Sequence, residues 1–588
     1  MFGWGRRKTP VDGRSATAPA TPAKQDLTDW QRQADAFLSE KRHSEACPLY
    51  ERILAAVPDD LYVIYQLAGA LEGAGELERA AAVCERGLAL SPDQPGLLAR
   101  RGGIARRRNQ FVLALETYER LKALHPDYEY IDAMIADALA LLGRGAEAAE
   151  AFDRALERAP DNARIQSDRL FILNYFGLLS RAELFEEHRK WGAAHEAILR
   201  EQWRPHPQSR DPERKLRVGY VSPDLRRHAV AFFIEGVLRH HDHASFEIHA
   251  IDVSPFPEDE VTRRLRGFCD HWHRVGDRTD EELAEFIRDR AIDVLVDLSG
   301  HTAHNRLLVF ARRPAPVQVT WFGYMNTTGL TAIDYRLTDA WLDPPDHSDA
   351  FYTESLVRIP AAACFQPDRD SPPVGALPAQ RNGYVTLASL NQWTKVTETT
   401  KDLWCRILRD VPTARLVVVA RGGDDPAVQA SIAREFASRG VPATRLRISG
   451  FRPLGAFLSL LTEIDFALDP FPYGGGTTTL HCAWMGVPMV TLQSDSELGR
   501  STPGILNVLG LGALVASDVD AYHRIAVDLA ADPDRLAEYR RELRPRFERS
   551  PMVDAVPLTR SVEAAFRSMW RDNCIVTPDR VRNHPRSN

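Results

Sequence analysis

Residues 469–492 read DPFPYGGGTTTLHCAWMGVPMVTL. The segment leaves a strand near Asp469, turns through Gly474, Gly475 and Gly476, and enters a helix at Thr477, Thr478 and Thr479. Free backbone N–H groups and hydroxyls at a helix start favour a phosphate. The helix dipole adds only about 0.3–2 kcal/mol, so an anion developing there needs a cation as well. Lys395, in SLNQWTK just after another strand-like run, is the candidate. The loop is neither G-x-x-x-x-G-K-[ST] nor G-x-G-x-x-G after a first strand, which disfavours a P-loop NTPase and a dinucleotide fingerprint. Taken alone, the same letters also suit a plain strand-to-helix turn.

On both sides of this segment, short β-branched runs alternate with helical patterns, the signature of βαβ units and parallel sheets. Strands are predicted at 216–222, 246–254, 293–300 and 316–323, then at 384–390, 414–420, 446–450, 465–471 and 488–493. Helices are predicted near 279–289, 303–311, 397–409, 427–439, 454–462 and 477–485. A Pro- and Ala-rich interval separates the two groups. The reading is two α/β lobes, 215–365 and 383–571, joined by a linker at 366–382, with a ligand cleft at the carboxyl ends of the strands.

Upstream, Pro58, Pro92, Pro126 and Pro160 recur every 34 residues, each followed by Asp. Ala46, Ala80, Ala114 and Ala148 hold one fixed place in the unit. Tyr50, Cys84, Tyr118 and Phe152 follow four residues later on the same helical face. Ala34, Ala68, Gly102 and Ala136 supply the close-contact position of a first helix. This pattern resembles the tetratricopeptide repeat, in four units over 27–161. Such hairpins bury their apolar faces only by stacking, giving a solenoid whose groove suits a protein partner. Arg32, Gln66, Arg100 and Met134 occupy the groove-facing position, as a docking surface or an ordinary solvated face. Capping helices and a linker are expected at 162–214, with flexible tails at 1–26 and 572–588.

Several classes are excluded or disfavoured. The 588 residues carry a net charge of -7, which argues against gripping nucleic acid over a broad basic surface. No run of apolar residues is long enough to span a membrane, and seven scattered cysteines with no C-x-x-C pair read as reduced and cytoplasmic. Nine of the 18 histidines fall between 228 and 304, but without H-E-x-x-H or another standard ligand spacing, so no metal is expected. Asp368-Arg-Asp370 and Asp518-Val-Asp520 spell D-x-D in a linker and at a helix start, and both read as structural.

The repeats followed by VGYVSPDLRRH, ARRPAPVQVTWFGY, SLNQWTK and GGGTTTLHCAWMGVPMVTL resemble the O-linked N-acetylglucosamine transferase and SPINDLY family of protein glycosyltransferases, over residues 27 to 545. The resemblance implies an α + α/β architecture, a TPR solenoid followed by a two-lobed GT-B catalytic region. It also implies an inverting transfer from a nucleotide-sugar to Ser or Thr of an acceptor protein, with no metal or other cofactor. By position, Lys395 meets the donor pyrophosphate, Gln392 the nucleotide side, and Gly475, Gly476, Thr477 and Thr478 the phosphates. His228 stands beside the acceptor hydroxyl as base or as orienting group.

Some positions depart from the family. His481 replaces an aspartate that grips the ribose, Ser299-Gly300-His301 replaces Asn-Gly-Tyr, and the loop from Trp321 to Thr327 is altered. His301, Tyr324 and Thr327 are therefore cleft or acceptor candidates. A histidine that can donate a hydrogen bond or carry positive charge suits an anionic donor, so UDP-N-acetylglucosamine and a CMP-nonulosonate are both expected donors, with bacterial flagellin as one acceptor. The alternative is an inactive TPR adaptor.

Overall fold

The computed structural model describes residues 24–368 and 370–575. The expected tails lie mostly outside these residues, but the first helix begins at Lys24 and the last runs to Ile575, each a few residues beyond the expected boundary.

Ten helices open the described residues: α1 (Lys24–Ser39), α2 (His43–Ala56), α3 (Leu61–Gly73), α4 (Leu77–Leu90), α5 (Pro95–Arg107), α6 (Phe111–Leu124), α7 (Ile131–Leu141), α8 (Gly145–Arg158), α9 (Ala163–Phe176) and α10 (Arg181–Leu199). The first eight form the four predicted hairpins. Each repeat proline sits just past a second helix, where its missing N–H costs nothing. Asp60 caps α3 by accepting from the Val63 N–H at 3.1 Å, and Asn162 caps α9 by accepting from Ile165 at 3.1 Å. The alanines at the crossing positions are fully buried. A methyl on Gly102 would lie 2.2 Å from the Tyr118 ring, so the α5–α6 crossing admits only glycine.

The chain divides into two compact units. One runs through Glu129 without residues 109–112, and the other comprises those four residues and everything from Tyr130 onward. The fourth repeat and the α9–α10 hairpin thus belong to the same unit as both sheets. A Ser180–Glu183 capping box starts α10.

Among the described residues of the second unit, one parallel sheet contains β1 (Leu216–Ser222), β2 (Phe246–Asp252), β3 (His271–Arg274), β4 (Val294–Asp297), β5 (Val317–Thr320), β6 (Tyr335–Thr338) and β7 (Ser355–Arg358), in the order β3-β2-β1-β4-β5-β6-β7. The other contains β8 (Thr386–Ser389), β9 (Arg415–Val419), β10 (Leu446–Ser449), β11 (Phe466–Leu468), β12 (Met489–Leu492) and β13 (Val515–Ala516), in the order β10-β9-β8-β11-β12-β13. The winding reverses between β1 and β4 and between β8 and β11, which opens a crevice at the carboxyl ends of those pairs.

The nine predicted strands are all present. β3, β6, β7 and β13 were not predicted; three of them are edge strands, and partial burial gives β3 (HWHR) and β7 (SLVR) no continuous apolar run. A second difference concerns the C-terminus. Helix Ala555–Ile575 places Leu558, Val562, Phe566, Met569 and Trp570 in the core beneath β1 and the helix α11 (Ala229–His240), so the chain returns to the first lobe before residue 571. Asp518 caps helix Val519–Ala530 by accepting from Ala521 at 2.7 Å, the structural role expected of that D-x-D. All seven cysteines are unpaired thiols, and no described helix is long and apolar enough to cross a membrane.

Candidate functional site

The second switch point places the two key segments side by side, because β8 leads to Lys395 and its neighbour β11 leads to the glycine loop. Asp469, fully buried just past β11, organises that loop. Its carboxylate accepts from the Gly475 N–H (2.8 Å), Asn391 Nδ2 (3.1 Å) and Thr491 Oγ1 (2.8 Å). Thr502 Oγ1 donates to the Gly475 carbonyl at 2.9 Å. A methyl on Gly474 would lie 2.6 Å from Asp469 Oδ2, and one on Gly475 2.5 Å from Thr479 Oγ1, so neither position tolerates a side chain.

Gly476 is the N-cap of helix Thr477–Trp484 and supplies no side-chain cap, and Thr477 and Thr478 are half-buried at the first turn. That helix start therefore presents backbone donors that no side chain caps. Lys395 ends a short 3₁₀ turn, Trp393–Lys395, and is nine-tenths buried. Its Nζ donates to the Gly474 carbonyl at 2.9 Å and lies 3.6 Å from the centre of the Tyr473 ring. Tyr473 in turn packs at 4.5 Å against Tyr175 of α9. Burial pushes the Lys395 ammonium down to about 8, with Asp469 opposing. Burial likewise pushes the Asp469 carboxyl up, opposed by its hydrogen bonds and by Lys395. Gln392 is exposed, and its carbonyl accepts the Lys395 N–H at 2.9 Å.

His228 is the N-cap of α11, with a two-fifths-exposed side chain. Its Nδ1 lies 3.4 Å from the Val230 N–H and 3.6 Å from Asp224 Oδ2. These two partners favour opposite tautomers. Accepting from Val230 leaves the proton on Nε2, whereas donating to Asp224 frees Nε2 to take one. Desolvation holds the imidazole below its ordinary range, with Asp224 opposing.

His481 lies on the helix that follows the glycine loop, edge-on to Phe232, Phe365 and Phe457 at 5.2, 5.1 and 5.9 Å. Burial pushes its pKa down to about 4. Burial thus disfavours the charged form of His481 and leaves its capacity for a hydrogen bond as the property that bears on a donor. Its Nδ1 is buried and has no hydrogen-bond partner.

The three cleft candidates are corrected, because all are core residues. His301 is fully buried; its Nε2–H donates to the Thr328 carbonyl (2.9 Å), so its Nδ1 accepts from Ser167 Oγ (2.7 Å). Tyr324 donates its hydroxyl to Nε2 of buried His188 at 2.9 Å, the other nitrogen of which faces the Leu184 carbonyl. Thr327 Oγ1 donates to Glu354 Oε2 at 2.7 Å and accepts the Gly329 N–H at 3.1 Å. Side chains buried and hydrogen-bonded inside the protein in this way serve the junction of α9 and α10 with the first lobe. We expect His301→Ala to lower stability by about 2–5 kcal/mol, seen as an earlier denaturant midpoint, with the acceptor KM of the surviving folded fraction unchanged.

The organising role of Asp469, which the sequence marks only as a strand end, and its first-lobe counterpart Asp297 were not read from the sequence. Asp297 ends β4 and accepts from Ser299 N (3.0 Å), Gly300 N (2.9 Å) and Thr320 Oγ1 (2.8 Å). The available signal was an acid closing an apolar run just ahead of a Gly- or Pro-rich turn. Also unread were Arg336 and Glu497, which meet at 2.6 Å where the lobes join, Tyr352 donating to the other Glu497 oxygen at 2.7 Å.

Helical repeats followed by two parallel sheets of matching winding define a TPR protein with a two-lobed GT-B region. The chain belongs to glycosyl transferase family 41, whose family model matches residues 180–369 and 377–562. Tetratricopeptide repeat models match residues 37–99 and 99–163. The probable UDP-N-acetylglucosamine–peptide N-acetylglucosaminyltransferase SPINDLY of Petunia hybrida is 36% identical over 421 residues, 71% of this chain and 45% of that protein. The probable enzyme of the same description named SEC, from Arabidopsis thaliana, is 27% identical over 375 residues, 61% of this chain and 38% of that protein. The chain thus matches less than half the length of these relatives. Among solved structures, a mutant O-GlcNAc transferase of Thermobaculum terrenum superposes with a TM-score of 0.81 at 35% identity, covering 87% of this chain and 98% of that one.

Proposed function

We propose that this protein transfers a sugar from a nucleotide-sugar to a serine or threonine hydroxyl of an acceptor protein, by direct, inverting displacement without a metal. The observation that carries the reading is Lys395 Nζ held 2.9 Å from the Gly474 carbonyl, in the loop that opens onto the uncapped helix start at Thr477. The donor diphosphate lies against the N–H groups of Thr477 and Thr478, with Lys395 alongside and Gln392 toward the nucleotide. An acceptor hydroxyl, its proton passing to His228 or to water, attacks the anomeric carbon as the nucleotide departs. Charge grows on the leaving phosphate oxygens, where fixed donors and a buried cation stabilise it without reorganising.

UDP-N-acetylglucosamine is the donor we favour. The relatives' names point to it, and burial, which disfavours a charged His481, weakens the case for a CMP-nonulosonate. The repeats serve acceptor docking, and flagellin is one protein of that kind. Co-expression with a candidate acceptor and intact-mass measurement tests the reading. The mass of an N-acetylhexosamine residue supports it, a nonulosonic acid increment reassigns the donor, and no added mass with any acceptor, together with no nucleotide-sugar binding, leaves the adaptor reading.

The reaction should also depend on pH. Lys395 is an ammonium below about 8 and loses its proton above it. In the free enzyme kcat/KM is therefore expected to fall on the alkaline side from about that value. If His228 is the base, an acid limb lies below the ordinary imidazole range. A profile flat to well above pH 8 refutes the Lys395 assignment.

A further inference from the structure

We propose that Glu247, His249 and His271 form a binding site for one divalent transition cation of the zinc type on the first lobe, with His273 orienting His249. In a strand, alternate residues share a face, so Glu247 and His249 of β2 point the same way, as do His271 and His273 of β3. The parallel register sets His249 beside His271 and Ile251 beside His273, which gathers all four polar side chains on one face at the sheet edge.

Glu247 Oε1 lies 3.0 Å from His249 Nε2 and 3.1 Å from His271 Nε2. A tetrahedral zinc with bonds of about 2.0–2.1 Å places its ligand atoms about 3.3 Å apart, so small side-chain adjustments suffice. No other trio of His, Cys, Asp or Glu among the described residues converges within 4.8 Å in this way. His249 is buried and His271 half-exposed, leaving the outer side open for water or another ligand.

A metal-bound imidazole needs a partner for its other nitrogen. His249 Nδ1 has one, His273 Nε2 at 3.2 Å. The nearest cation, Arg217, pairs across β1 with Glu247 and approaches only its second oxygen, Oε2, at 3.6 Å. Arg290 lies beyond, stacked on Phe286, whose ring also packs against His273. Arg217 therefore weakens the site without occupying the oxygen that faces the two imidazoles.

Glu247 is the second residue of β2 and His271 the first of β3, so the group sits near the amino ends of its strands. The candidate donor site lies past the carboxyl ends of the other sheet, so this cation takes no part in transfer. No contiguous helical motif marks the group, because neighbouring strands supply it and the paired His249 and His271 lie 22 residues apart.

The test is titration of the full chain, first stripped with EDTA, with Zn²⁺ by calorimetry and with Co²⁺ by visible absorption. We expect one ion per chain and the intense absorption of tetrahedral cobalt. His271→Ala and, separately, Glu247→Gln should abolish that stoichiometric binding while leaving the melting midpoint of the metal-free protein unchanged. His273→Ala should weaken binding about 10–100-fold. No binding by the native chain overturns the proposal. So does undiminished binding by His271→Ala, which would mean adventitious capture by other histidines.

Discussion

Replacing Lys395 with alanine is expected to lower turnover by about 10²–10³-fold while changing donor affinity much less. The ammonium is nine-tenths buried, donates to the Gly474 carbonyl and lies over Tyr473, so it is fixed before substrate arrives. A fixed cation in a water-poor pocket acts most on charge that develops late, and the leaving nucleotide carries more negative charge at the transition state than in the bound donor. The loss should therefore fall on kcat. Lys395→Arg keeps the charge but brings a planar fork where the pocket holds a point donor, so it should recover only part of the rate. Initial rates with UDP-N-acetylglucosamine and a protein acceptor, beside calorimetric donor binding, separate the two effects. Equal turnover in mutant and native enzyme would exclude Lys395 from the reaction.

The largest effect on stability is expected from Glu497→Ala. Glu497 follows β12 in the second lobe, is 3% exposed, and accepts from Arg336 of β6 and from Tyr352, both in the first lobe. Arg336 also donates to the carbonyls of Tyr324 (3.0 Å) and Asn326 (3.1 Å), and so ties the altered loop of the first lobe to the second. Removing the carboxylate leaves a guanidinium that is 1% exposed without its counter-charge. Breaking one side of a buried pair costs about 3–5 kcal/mol, which should appear as a clear fall in the chemical-denaturation midpoint. Glu497→Gln keeps the volume and one acceptor oxygen, so only one of Arg336 and Tyr352 retains its bond, and it should lose less than the alanine variant. If Glu497→Ala unfolds at the native midpoint, Arg336 is satisfied in some other way and the pair does not join the lobes.

How much of this could be read beforehand varies by element. The 34-residue proline period and the small residues in step with it identify the hairpins, because helix crossings demand little volume at fixed positions. Central strands announce themselves too: β4 (VLVD) and β9 (RLVVV) are buried almost throughout and read as apolar runs. Edge strands β3 and β7 do not, since water on one side permits HWHR and SLVR. At the site, the glycines before Thr477 and the lysine of SLNQWTK were visible as chemistry on a turn. His301, Tyr324 and Thr327 were misjudged, because polar residues at strand ends look alike whether they face a cleft or pair inside a core. The surroundings of His481 were not legible either, since the three phenylalanine rings packed edge-on around it come from distant parts of the chain.

Periodicity, turn chemistry and the order of strands and helices are local properties, so the chain's letters alone determined the repeats, the two wound sheets and the segments suited to a phosphate. Protonation, burial and pairing are not local. Only the folded structure decided that Asp469 organises the glycine loop, that Arg336 finds Glu497 161 residues away, and that two short strands gather histidines into one group. Each depends on which distant groups exclude water from a side chain, and that exclusion sets its charge and its partners.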